Sequence, residues 1–200
     1  MIGTKVVKPE SNKNKLLKDL INSGCTYLFL YNDSIKIKDP LVFEHFKIVS
    51  DKTGFECMCM GSCEPSNQKP LYTNDPYVDY WMFPGTSFLF VTKNAIDKAG
   101  YMDEKFPKDT WEEVELIHRI GNLGLTAPFG MFVGIKDEFR YFDLDEEKIK
   151  ERLKSDHDRM DTIKKATDYW QSKNPERFPN MTMPKTPDVK MNLRKGMGEL

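Results

Sequence analysis

Apolar positions in "SNKNKLLKDLINSG" recur at helical spacing. Leu16, Leu17, Leu20 and Ile21 form one stripe and Gly24 follows as a stop, so residues 11–23 read as an amphipathic helix. The next run, "CTYLFLY", is short, apolar and rich in aromatics, which predicts a buried strand near 26–31 that ends at Asn32-Asp33-Ser34. Helical spacing returns in "PLVFEHFKIVSDKTG" from Pro40 to Gly54, with Val42, Phe43, Phe46 and Val49 turned inward. "TSFLFVT" (86–92) predicts a second strand, and "KNAIDKAG" a short helix closed by glycine. "TWEEVELIHRIGNLG" (110–124) predicts a helix in which Thr110 and Glu113 have capping-box spacing. "APFGMFVGI" supplies a third strand near 128–134.

Between these elements, residues 57–80 carry three Cys and three Pro and read as loop. From Asp145 to about Ser172 the pattern is that of a charged helix, and the last thirty residues hold four prolines and little periodicity. The expected organisation is an α/β core over 1–144 and a C-terminal helix with an extended tail over 145–200. Strands alternating with helices predict a mixed central sheet flanked by helices. About ten residues precede the first helix, so "GTKVVKPE" adds one strand at most.

Composition narrows the classes. Thirty basic residues balance 31 acidic ones, for a net charge of −1, so no global field draws the chain to nucleic acid or an anionic membrane. No apolar run is long enough to span a bilayer, and the start lacks a signal-peptide core. A chain of 200 residues needs no staples, so Cys25, Cys57, Cys59 and Cys63 are expected as reduced thiols in a cytoplasmic compartment. Their spacing fits no usual zinc site.

Two stretches carry candidate chemistry. Asn32, Asp33 and Ser34 stand at the carboxyl end of a strand, where ligands of open α/β sheets gather, and offer oxygens to a hard cation. The same triplet also makes an ordinary turn. In "GYMDEKFPKDTWEEVELIHR", Asp103 and Glu104 precede a helix whose first turn holds Glu112 and Glu113. Carboxylates there are favoured by the helix dipole, and one that faces a cleft is a rigid general base.

In this order the stretches resemble the GT-A fold of nucleotide-sugar glycosyltransferases, especially family-2-like enzymes and their relatives in bacteriophage genomes. In that family a helix with a Lys-Asn pair precedes a strand ending in Asp-x-Asp; here the segment is "NKNKLLKDLINSGCTYLFLYNDSI". A "GxxDExF" loop and a helix opening Trp-Glu-Asp follow, matched by "GYMDEKF" and "TWEEVELIHR", and the likeness extends over roughly residues 10–180.

The resemblance implies a GT-A-like, truncated Rossmann-like core that uses a nucleotide sugar such as a UDP-sugar. Asn14 would lie near the nucleotide, with Asn32, Asp33 and Ser34 in the Asp-x-Asp place. Asp33 and Ser34, joined by His157, would hold Mn²⁺ or Mg²⁺. Asp103 would belong to the acceptor loop, and Glu113 would deprotonate the acceptor hydroxyl, with Glu112 the alternative after a one-residue shift. Asn32 to Ser34 and Glu112-Glu113 should then face one cleft. The acceptor is left open among a glycan, a protein and a modified nucleic-acid base. Asn32 and Ser34 depart from the family pattern, as does the absence of a nucleotide-cradling β-α-β unit. These departures fit a second reading: a non-catalytic binding or assembly protein, or a half-domain completed by a partner chain or a second copy at an exposed sheet edge.

Overall fold

The computed structural model describes residues 1–8, 11–60, 70–71, 74–82, 85–107, 110–128, 131–145, 147–148 and 160–173. In chain order the elements are β1 (Ile2–Val7), α1 (Lys13–Asn22), β2 (Tyr27–Asn32), β3 (Ile35–Ile37), α2 (Leu41–Thr53), β4 (Cys57–Met60) and β5 (Val78–Trp81). There follow β6 (Gly85–Thr92), α3 (Lys93–Ala99), α4 (Glu112–Asn122), β7 (Phe132–Ile135), β8 (Phe142–Leu144) and α5 (Met160–Lys173). The fold is mixed α/β. Its four-stranded sheet has the order β1-β2-β6-β4. β1 and β2 are parallel, with Val7 opposite Asn32, and α1 makes the crossover between them. β6 runs antiparallel to both β2 and β4.

Side-chain alternation along β2 sorts the core into two layers. Leu28 and Leu30 pack with Leu17 and Leu20 of α1 and with Leu116, Ile117 and Ile120 of α4. Phe29 points the other way, onto Val42, Phe46 and Val49 of α2 and onto Phe88 and Phe90 of β6. The ring centroids of Phe29 and Phe90, and of Phe46 and Phe88, are both 5.1 Å apart. Burial of each such side chain contributes about 1.5–3 kcal/mol. Asn12 starts α1 by accepting a hydrogen bond from the Lys15 amide at 2.8 Å. Gly54 ends α2 in the left-handed region at φ 76°, where its N–H reaches the Ser50 carbonyl.

Several expectations need correction. The strand placed near 128–134 is β7, and it stands outside the four-stranded sheet, paired antiparallel with β5. Gly134 lets β7 lie close along β4: a Cβ there would come within 2.8 Å of the Cys59 carbonyl oxygen. The stretch read as loop contains β4 and β5. All four residues of β4 are buried, and Cys57 and Cys59 pair with Val91 and Leu89. The helix expected from Thr110 begins at Glu112, and its capping box is not formed. The Thr110 hydroxyl donates to the Pro107 carbonyl at 2.5 Å instead, while its amide donates to Glu112 Oε2 at 2.7 Å. Within the predicted charged helix, α5 covers Met160–Lys173; Glu146 and residues 149–159 lie outside the described residues, as does the tail from 174. No described helix is long and apolar enough to cross a membrane.

Candidate functional site

β1 leads directly into α1, so the N-terminus of α1 lies beyond the carboxyl end of the parallel pair. The Asp33 amide marks the same end by donating to the Val7 carbonyl at 3.3 Å. Lys13 draws the first turn of α4 to this point. Its ammonium donates to Glu112 Oε1 at 2.7 Å and also to Glu113 Oε1. The three side chains are buried, with Lys13, Glu112 and Glu113 at 9%, 7% and 6% exposure, so their charges act through protein more than through water. Burial pushes the Glu113 carboxyl up; the Lys13 ammonium opposes that and the Glu112 carboxylate adds to it. Burial alone would lower Lys13, but Glu113 and Glu112 together hold it above its ordinary value.

Beside this cluster opens a cleft of about 400 Å³. Its walls are Ser11 to Asn14, then Met102, Asp103, Glu104 and Phe106 of the loop before α4, and Glu112. Asn14 fixes that loop: its Nδ2 donates to the Met102 carbonyl at 2.9 Å and its Oδ1 accepts from the Met102 amide at 3.0 Å. Nδ2 also lies 3.0 Å from Glu104 Oε1. Asp103 is held from the other side by α5, with Lys173 Nζ at 2.7 Å and the Tyr169 hydroxyl at 2.8 Å from its Oδ2. Burial would raise the Asp103 carboxyl, but Lys173, the Lys105 amide and Tyr169 outweigh it and bring it down to about 2. α5 is seated by Trp111, whose indole N–H donates to Thr167 Oγ1 at 3.1 Å, and by Trp170, which stacks on His118 with centroids 5.1 Å apart.

Of the residues singled out from sequence, Asn14, Asp103 and Glu112 meet at the cleft. Glu113 is not among its walls and accepts from Lys13, which is. Asn32 has the parity of Leu28 and Leu30, hence the α1 face, and its Nδ2 is 3.4 Å from Ser87 Oγ. Asp33 and Ser34 form the turn between β2 and β3 and do not line the cleft. The Asp33 carboxylate pairs with Lys148 at 2.9 Å, and the Ser34 carbonyl accepts from the Asp145 amide at 2.9 Å. That donor set fits a divalent cation poorly: its single carboxylate is held by an ammonium, and the described residues contain no group of three His, Cys, Asp or Glu that could hold a metal. His157 and Cys63 lie outside the described residues. Cys25, Cys57 and Cys59 are buried.

Lys13, the lysine of the Lys-Asn pair in the sequence, is the site residue to which no role was expected. The signal for it is a lysine at the first position of α1, in a turn with no acidic residue, where the helix dipole disfavours a cation.

Fold and cleft together define a mixed α/β protein with a carboxylate-lined cleft at the carboxyl end of its parallel strands. No family model, curated protein or solved structure matches the chain.

Proposed function

We propose that the protein is a glycosyltransferase that uses a nucleotide sugar on a GT-A-like scaffold, with the cleft as its acceptor side. The observation that carries this reading is Glu112, a rigidly held carboxylate in the wall of the cleft. Lys13 holds one of its oxygens and the Thr110 amide the other, yet a carboxylate offers about four lone-pair directions, so each oxygen can still accept. Glu112 therefore takes the role of base expected of Glu113. An acceptor hydroxyl gives its proton to Glu112 while its oxygen bonds to the anomeric carbon. The bond from that carbon to the diphosphate breaks on the opposite face, and its electron pair leaves with the nucleoside diphosphate. Asn14 serves this reading by fixing the acceptor loop. No step runs through a divalent cation, given the donor set at Asp33.

The test is release of nucleoside diphosphate from a panel of UDP-sugars with glycan acceptors. Glu112→Gln keeps size and hydrogen bonding but removes basicity, so turnover should fall by about 10²–10⁴-fold. Glu113→Gln should lower it far less. Wild-type turnover in Glu112→Gln would remove this residue from the chemistry.

The Asp33–Lys148 pair and the uncharged neighbours Asn32 and Ser34 favour a second reading, a GT-A-like binding or assembly protein without catalysis. UDP binding with no turnover on any donor would support that reading instead.

A further inference from the structure

We propose that Lys13 is the positioning residue of the site, holding the Glu112 carboxylate in the cleft wall while it also binds Glu113. The inference rests on the transfer reading for its consequence, but its geometry stands apart from that reading.

Consecutive helical residues project about 100° apart. Glu112 and Glu113 therefore cannot occupy one another's place, and only Glu112 borders the cleft. An ammonium has several donors on one nitrogen, so it can bridge both diverging carboxylates at once. Lys13 does so across 99 and 100 residues of chain, from a helix that itself lines the cleft.

Among the described residues, several further groups face the pair. The Thr110 amide lies on Glu112 Oε2. Asp103 and Glu104 come from the loop, Glu115 stands one turn along α4, and Lys173 of α5 is shared between Asp103 and Glu115. Lys13 thus bridges two buried carboxylates. Without it they would face each other in a weakly screened pocket, and one would take up a proton more readily. Loss of an opposite charge at this range moves a carboxylate by about 1–3 pH units. A role confined to stability would leave turnover by the surviving fold unmoved.

The experiment follows the glutamate side-chain carboxyl signals by ¹³C NMR across pH in wild type, Lys13→Met, Lys13→Arg and Glu112→Gln. Turnover of UDP-sugars is followed in parallel. In Lys13→Met the Glu113 signal should titrate higher than in wild type, because the ammonium that holds it down is gone, and Lys13→Arg should restore most of the difference. In Glu112→Gln, where Lys13 serves one carboxylate, Glu113 should titrate lower than in wild type; this variant carries the test if Lys13→Met does not fold. Turnover, where present, should fall in Lys13→Met and be largely restored in Lys13→Arg. An unmoved Glu113 titration in a folded Lys13→Met or in Glu112→Gln overturns the proposal. A Glu113 signal that moves in a protein with no turnover upholds the bridge made by Lys13 and rejects the transfer reading alone.

Discussion

At the scale of single residues, a lysine beginning a helix works against the dipole, and Lys13 is tolerated because two carboxylates from α4 meet it. Removing one partner of a buried ion pair commonly costs about 3–5 kcal/mol. Lys13→Met should lose about that much in urea unfolding at pH 7; a loss below about 1 kcal/mol would show that the cluster does not tie α1 to α4. Glu113→Gln removes the surplus carboxylate and should leave stability nearly unchanged. Asp103 gives a separate test. Its folded carboxyl lies near 2, below the ordinary aspartate value of about 3.9, so it contributes stability that is present above about pH 4 and lost as pH falls toward 2. Asp103→Asn should therefore cost about 2 kcal/mol at pH 7 and little at pH 2. An equal cost at both values would contradict the ion pair with Lys173. Asp103 and Glu112 were legible as candidates from residue type and helix position. The role of Lys13 was not, although the Lys-Asn pair it belongs to was, because its partners lie about a hundred residues away in sequence.

At the scale of elements, α5 sets the outer wall of the site. It places Tyr169 and Lys173 on Asp103 and packs Trp170 against Trp111 and His118. Trp170→Ala should cost about 1–3 kcal/mol, speed amide exchange in residues 102–106, and let the Asp103 carboxyl titrate closer to its ordinary value. Unchanged exchange in that loop would show that α5 only rests there. α1, α2, β2 and β6 were readable in the sequence because each carries a clear period or a compact apolar run. β4 was hidden because "CMCM" lacks the β-branched residues that mark a strand; pairing with β6 and full burial make it one. The start of α4 was misread because Thr110 turns its hydroxyl to Pro107, a choice made by the loop rather than by the local sequence.

For the whole molecule, strand order is set by contacts distant in sequence, so the mixed sheet could be expected but β7's place outside it could not. The parallel pair β1–β2 places the entry to α1 and the Asn32–Ser34 turn at one end of the sheet, with the cleft at that entry. Among the described residues β1 pairs only with β2, and on the second reading proposed above its outer edge is where a partner chain would join. The cleft's own lining holds three carboxylates, so on the transfer reading proposed above it would take the hydroxyl-bearing acceptor and the donor diphosphate would bind toward Asn32 and Asp33. On the proposed reading this end of the sheet binds a nucleotide sugar. Calorimetric titration of the full chain with UDP and UDP-sugars, with and without Mn²⁺, tests it most directly. Saturable binding that weakens in Asn32→Asp, where a further negative charge meets the diphosphate, is the predicted result. No heat of binding with any of these nucleotides, in either condition, would contradict it.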